Sequence, residues 1–233
     1  MRTELKQVLT DNAFPWDDLR LDKLCHYYEL LSEWNQHTNL TALTGPSDFI
    51  YKHVCDSLFP AKFFDFSAGL SLVDVGTGAG FPGFPLKIIY PGIKLTLVEA
   101  SAKKAAFLRH CCSELAVDAM ILCQRAETIG RDKERESFSL AITRAVAPLA
   151  VVCEYCLPLL SPGGSCLAMK GPAGPAEASA AANACKKLGG RVRPIHLYRL
   201  PGGDERSLIV IDKIGATPAA YPRRPGIPAK KPL

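Results

Sequence analysis

Ser71-Leu72-Val73-Asp74-Val75-Gly76-Thr77-Gly78-Ala79-Gly80-Phe81-Pro82-Gly83 decides how the rest of the chain is read. A short, mostly apolar run is the pattern of a buried strand. Gly76, Gly78 and Gly80 then make a loop in which backbone can approach a ligand closely, at the entry to a helix. The spacing predicts that helix over 82–90, because Pro82 and Pro85 are tolerated only in a first turn, whose N–H groups have no partner. Working outward, strands are expected at 94–99, 119–123, 138–143 and 164–169, with helices over 102–115, 148–157 and 176–188. Two last strands, 191–200 and 206–212, flank Pro201-Gly202-Gly203, and so short a connection requires an antiparallel pair. Strands alternating with helices imply an α/β fold with a mostly parallel sheet of seven strands and a terminal antiparallel hairpin. A ligand in such a fold lies over the carboxyl ends of the strands.

Upstream, residues 1–66 read as a helical extension. Leu21, Leu24, Tyr28, Leu31 and Trp34 make one packing stripe, and Ser47 is placed to cap a helix after Gly45-Pro46. Residues 67–217 hold the α/β domain. Residues 218–233 form a Pro-rich basic tail with no regular pattern. The 233 residues are 48% hydrophobic and 22% charged, which excludes a disordered chain. No apolar run approaches the roughly 18 residues of a membrane span, and Met1-Arg2-Thr3-Glu4-Leu5-Lys6 is no signal core, so a cytoplasmic protein is expected. Nine cysteines without framework spacing read as reduced thiols. Cys153-x-x-Cys156 falls in an apolar helix with no second pair, so no metal site is expected. The net charge of +5 conceals an asymmetry: residues 186–233 hold 11 Lys/Arg against 3 Asp/Glu. The basic end is either a polyanion contact or a solvated tail.

The glycine loop leaves two cofactors open. Gly78-Ala79-Gly80-Phe81-Pro82-Gly83 fits the dinucleotide pattern, with Glu99 at about the expected distance, so an NAD(P)-dependent oxidoreductase is one reading. Asp74, two residues before Gly76, instead gives D-x-G-x-G-x-G, which resembles the first motif of S-adenosylmethionine-dependent methyltransferases. Those enzymes need no substrate domain after the fold, and none is found here, so the methyltransferase reading is favoured.

Residues 74–86 closely resemble the glycine loop of the RsmG (GidB) methyltransferases. So do Trp34-Asn35, Thr38-Asn39-Leu40-Thr41, His53 with Asp56-Ser57, Lys103-Lys104 with Phe107-Leu108, Thr143-Arg144-Ala145-Val146-Ala147-Pro148-Leu149, Lys170-Gly171 and Tyr221-Pro222-Arg223-Arg224. The resemblance implies a class I, Rossmann-like methyltransferase that modifies N7 of one guanine in 16S rRNA of the small ribosomal subunit. A monomer is expected. It places S-adenosyl-L-methionine on Asp74, Gly76, Gly78, Gly80, Phe81, Glu99, Ala126, Glu127 and Arg144, with Glu99 at the ribose and Ala126-Glu127 beside the adenine. Thr143 stands where the family usually has Ser, and Cys55 where an aliphatic residue is commoner.

N7 is an in-plane lone pair with no proton to lose, so no general base is required. Neither a stretch for exocyclic amines nor a Pro-Cys nucleophile for pyrimidine C5 is present. Arg144, Lys170 and His53 are the candidate positioning residues of the reaction, although a lone His in an amphipathic helix is by default a packing residue. Asn35 and Asn39 suit turn-forming bonds to backbone. Arg191, Arg193, Arg206, Arg223, Arg224, Lys230 and Lys231 are expected to hold rRNA phosphates. The tail is expected to act apart from the cofactor loop. A small-molecule methyltransferase remains the other reading, since it would need the loop but not the basic end.

Overall fold

Alternation along the strands sets the layers. In a computed structural model describing residues 1–233, β1 (Ser71–Val75), β2 (Lys94–Val98), β3 (Ala119–Leu122), β4 (Phe138–Arg144), β5 (Leu160–Lys170), β6 (Gly190–Val192), β7 (His196–Arg199) and β8 (Glu205–Lys213) form one sheet. Its order is β3-β2-β1-β4-β5-β8-β6, with β7 also on β8. The first five strands are parallel, and β8 runs antiparallel to β5, β6 and β7.

Successive side chains point to opposite faces. Leu72, Leu95, Leu97, Leu140, Ile142, Leu167, Leu208 and Val210 join one core cluster of 39 buried residues. Val73, Val75, Val98, Ala141, Cys166, Ala168, Ile209 and Ile211 join the other, of 22. The N-terminal helices, Arg2–Asp11 and Asp18–Thr38, and the helical run 46–62 belong to the larger cluster through Leu5, Leu21, Tyr27, Phe49 and Leu58. They therefore share a core with the sheet rather than enclosing one of their own. No helix is long and apolar enough to cross a membrane.

Several sequence expectations change. The last strand pair is three segments, because Pro194 cannot donate to the ladder and splits 191–200 into β6 and β7, both laid on β8. β5 starts at Leu160, with Pro162-Gly163-Gly164 accommodated where the register shifts between Phe138 and Leu140. The Ala-rich helix breaks into Gly174–Ala180 and Ala182–Lys187. The second helix, capped by Asp17 accepting from Arg20 N at 2.8 Å, turns Tyr27 fully inward and leaves Tyr28 half-buried. Ser47 caps nothing, since Pro46 already takes the first helical position after Gly45.

The tail also departs from expectation. It contains a short helix, Ile227–Lys230, and lies packed on the body. Arg131 Nε donates to Pro222 O at 2.5 Å, and Arg135 reaches Tyr221 O at 2.7 Å and Thr217 O at 2.6 Å. Pro222 and Pro228 are buried.

Candidate active site

The carboxyl ends of β1, β2 and β3 bring four of the nine expected cofactor residues to one pocket, while Arg144 lines a different cleft. Gly76, Glu99, Ala126 and Glu127 line a pocket of about 140 Å³, with Val146 and Tyr155 closing it. Asp74 lies beneath the loop, fully buried. Its Oδ2 accepts from Thr77 Oγ1 at 2.7 Å and from Gly83 N at 2.8 Å, while Oδ1 has no partner. Burial pushes this carboxyl up to about 6, against those two bonds. Glu99 holds the loop from the other side, accepting from Gly78 N at 3.0 Å and Ser101 N at 2.8 Å.

The glycines have distinct reasons. At Gly76 (φ +72°) a Cβ would meet Val146 Cγ2 at 2.6 Å, whereas at Gly78 (φ +61°) it would meet nothing within 4 Å. The space over Gly78 is thus a cradle that a side chain would fill. The orphaned Asp74 oxygen, in the strand that leads into the loop, suits a ligand carrying an amino group and repels a pyrophosphate. The donor set fits S-adenosylmethionine.

A larger cleft of about 650 Å³ opens beyond the ends of β4 and β5, and Val146 lines it as well. Arg144 is its centre. One nitrogen, Nη1, donates to Lys52 O at 2.7 Å and Asp56 Oδ2 at 2.9 Å; Nη2 lies 3.1 Å from His53 Nδ1. A guanidinium only donates, so His53 Nδ1 must accept and Nε2 must carry the hydrogen. That hydrogen faces Thr41 Oγ1 at 3.2 Å. Burial, then the neighbouring Arg144 charge, pushes the ring down to about 4, so His53 is neutral at pH 7. The ring also stacks on Phe81, centroids 4.2 Å apart at 15°, which ties the cleft to the glycine loop.

Thr41 is itself fixed by Asn35, whose side chain donates to Thr41 O and accepts from Thr41 N, both at 2.9 Å. Asn39 ends the helix in the left-handed conformation, φ +48°. The Asn residues are turn builders, as their chemistry suggests. Thr143 Oγ1 donates to Val75 O at 3.0 Å and locks β4 to β1. Lys170 donates to Ala147 O at 2.5 Å and pairs with Glu177 at 2.8 Å, so it holds the 145–148 segment rather than projecting freely.

The expected RNA contacts separate into groups. Arg206 lines the cleft and reaches Asp56 Oδ1 at 3.5 Å and Asp204 at 3.1 Å. Arg193 and Arg191 lie on Asp212, at 2.7 and 3.8 Å. Arg223 is committed to Glu154 through Nε at 2.9 Å and Nη2 at 2.6 Å. Arg224, Lys230 and Lys231 are exposed and without an ion pair. Cys153 and Cys156 are buried free thiols.

Tyr27 was not visible in the sequence as a site residue. Its hydroxyl donates to Ala79 O inside the glycine loop, from an aromatic cluster with Phe49, Phe81, Phe84 and Phe107. Only its neighbour in the helical stripe signalled burial there. Lys52, Glu177 and Tyr155 were likewise missed, because each becomes relevant through a partner distant in sequence.

Residues 20–208 match the family described as rRNA small subunit methyltransferase G, GidB. The chain belongs to this family. A relative from Pelotomaculum thermopropionicum, named ribosomal RNA small subunit methyltransferase G, is 51% identical over 89% of this chain and 88% of its own length. One of the same name from Staphylococcus aureus (strain N315) is 46% identical over 98% and 97%. Among solved structures, MtNAS in complex with MTA and tNA matches 84% of this chain and 70% of its own with a TM-score of 0.56 and 17% identity. A SAM-dependent O-methyltransferase from Thermotoga maritima matches 79% and 71% with a TM-score of 0.54 and 14% identity. The fold and the family are those of S-adenosylmethionine-dependent methyltransferases, and the oxidoreductase reading of the loop is overturned by the family.

Proposed function

We propose that the protein transfers the methyl group of S-adenosylmethionine to N7 of one guanine in 16S rRNA of the small ribosomal subunit, in the cytoplasm. The relatives' names support the substrate class. The choice of atom rests on the motif resemblance and on one observation: the cleft offers no free base. His53 is neutral with Nδ1 occupied by Arg144; Asp56 and Glu177 are each bound to cations. A cleft so arranged suits a nucleophile that is already a lone pair.

S-adenosylmethionine supplies an electrophilic methyl group on a positively charged sulfur. Asp74 Oδ1 is the buried acceptor for the amino group, Glu99 accepts from the ribose hydroxyls, and Ala126-Glu127 border the adenine. Arg144 and His53, braced on the Phe81 ring, line the cleft and hold the reacting base in line. Asp56 compensates the Arg144 charge, so a base gaining positive charge is not placed against a bare cation. Lys52 and Arg206, at the cleft, hold phosphates of the RNA.

Guanine methylated at N7 is labile to borohydride and aniline. A strain lacking this protein should lose one such cleavage site in 16S rRNA and regain it with the wild-type gene. Retention of every site would refute the proposal.

A further inference from the structure

The C-terminal segment bonds one residue that lines the cofactor pocket and clamps the sequence neighbour of another. Gly226 N donates to Glu127 Oε1 at 2.8 Å, and Glu127, 2% exposed, lines the pocket. Arg223 closes on Glu154 through its backbone N at 2.7 Å as well as through its guanidinium. Glu154 is fully buried and immediately precedes Tyr155, another lining residue. A bidentate guanidinium–carboxylate pair of this kind is geometrically specific, and breaking it would strand a buried charge. Arg131 and Arg135 fix the carbonyls just upstream. Solvated tails make none of these contacts.

We propose that residues 218–233 are a strap built into the cofactor site, with Gly226 and Arg223 as positioning residues that hold Glu127 and Tyr155 at the adenosine pocket. The inference rests on the reading of that pocket as the cofactor's. It reverses the expectation that the tail acts apart from the glycine loop. The tail's exposed cations, Arg224, Lys230 and Lys231, are thereby carried on a segment anchored beside the adenine.

A chain ending at Pro225 loses the Gly226 donor but keeps the Arg223–Glu154 clamp. Its affinity for S-adenosylhomocysteine is measured by calorimetry well below the melting temperature, with Glu127 intact and with Glu127→Ala. Truncation should weaken binding about tenfold with Glu127 present and less than about twofold in the Glu127→Ala background, because the strap acts through that carboxylate. Arg223→Gln should lower affinity for 5′-methylthioadenosine and for S-adenosylhomocysteine by the same factor, since only the adenosine half is held. A merely structural tail would lower the melting temperature and leave these affinities unchanged. Unchanged affinity on truncation, or equal losses in both backgrounds, would overturn the proposal. If the full-length protein binds neither ligand, the cofactor reading itself falls and takes the strap with it.

Discussion

Replacing Asp74 by asparagine should make the protein sensitive to mild acid that the wild type withstands. His53 in the folded chain is pushed from 6.5 to about 4, mainly by burial and then by Arg144. As pH falls from 6.5 to 4, the unfolded chain therefore takes up this proton first, and stability is lost. At about 1.4 kcal/mol for each pH unit, the full loss is about 3 kcal/mol. Asp74 runs the other way. Burial raises it from 3.8 to about 6, so the folded chain takes up the proton first and stability is gained as pH falls from 6 to 4. That gain is also about 3 kcal/mol, so the two nearly cancel in the wild type. Asp212, held low by Arg193, loses its contribution only below this window. Asparagine keeps an oxygen for Thr77 and Gly83 but does not titrate, which leaves the His53 loss uncovered. Urea unfolding between pH 7 and 4.5 should then show a loss of about 2–3 kcal/mol in Asp74→Asn and less than about 1 kcal/mol in the wild type. His53→Gln should show the reverse slope, gaining stability below pH 6. A profile for Asp74→Asn that follows the wild type would refute the reasoning.

Gly78→Val places a branched side chain at φ +61° and in the open cradle; calorimetry should show loss of S-adenosylhomocysteine binding, with circular dichroism retaining the fold. Tyr27→Phe removes the bond to Ala79 O and should cost about 1–2 kcal/mol in urea unfolding. Lys170→Met frees the Ala147 carbonyl and Glu177, and kcat/KM on small subunits should fall roughly tenfold in a labelled-methyl assay. Replacing Arg224, Lys230 and Lys231 together by alanine should flatten the slope of log RNA affinity against log salt by about two units if all three engage phosphates.

The strand pattern was legible because central parallel strands are buried on both faces and read as short apolar runs. β1, β2 and β4 fall where the residues put them. What escaped lies in long-range partnership. Nothing local distinguishes Tyr27 from Tyr28, and the helix phase that turns the first inward is set by packing against Phe49 and Phe84. The packing of the tail on the body was not legible because its acceptors, Glu154 and Glu127, lie 69 and 99 residues away. Arg144 stood out as a candidate from its place at the end of a strand as well as through resemblance, His53 only through resemblance. Their mutual bond, which fixes the His tautomer, needed coordinates.

Incubating the purified protein with methyl-labelled S-adenosylmethionine and small ribosomal subunits that lack the modification tests the central claim most directly. After digestion of the 16S rRNA to nucleosides, the label should appear in 7-methylguanosine alone, at no more than one methyl per subunit. Label in any other nucleoside, or no transfer to RNA by a protein that binds the cofactor, would contradict it.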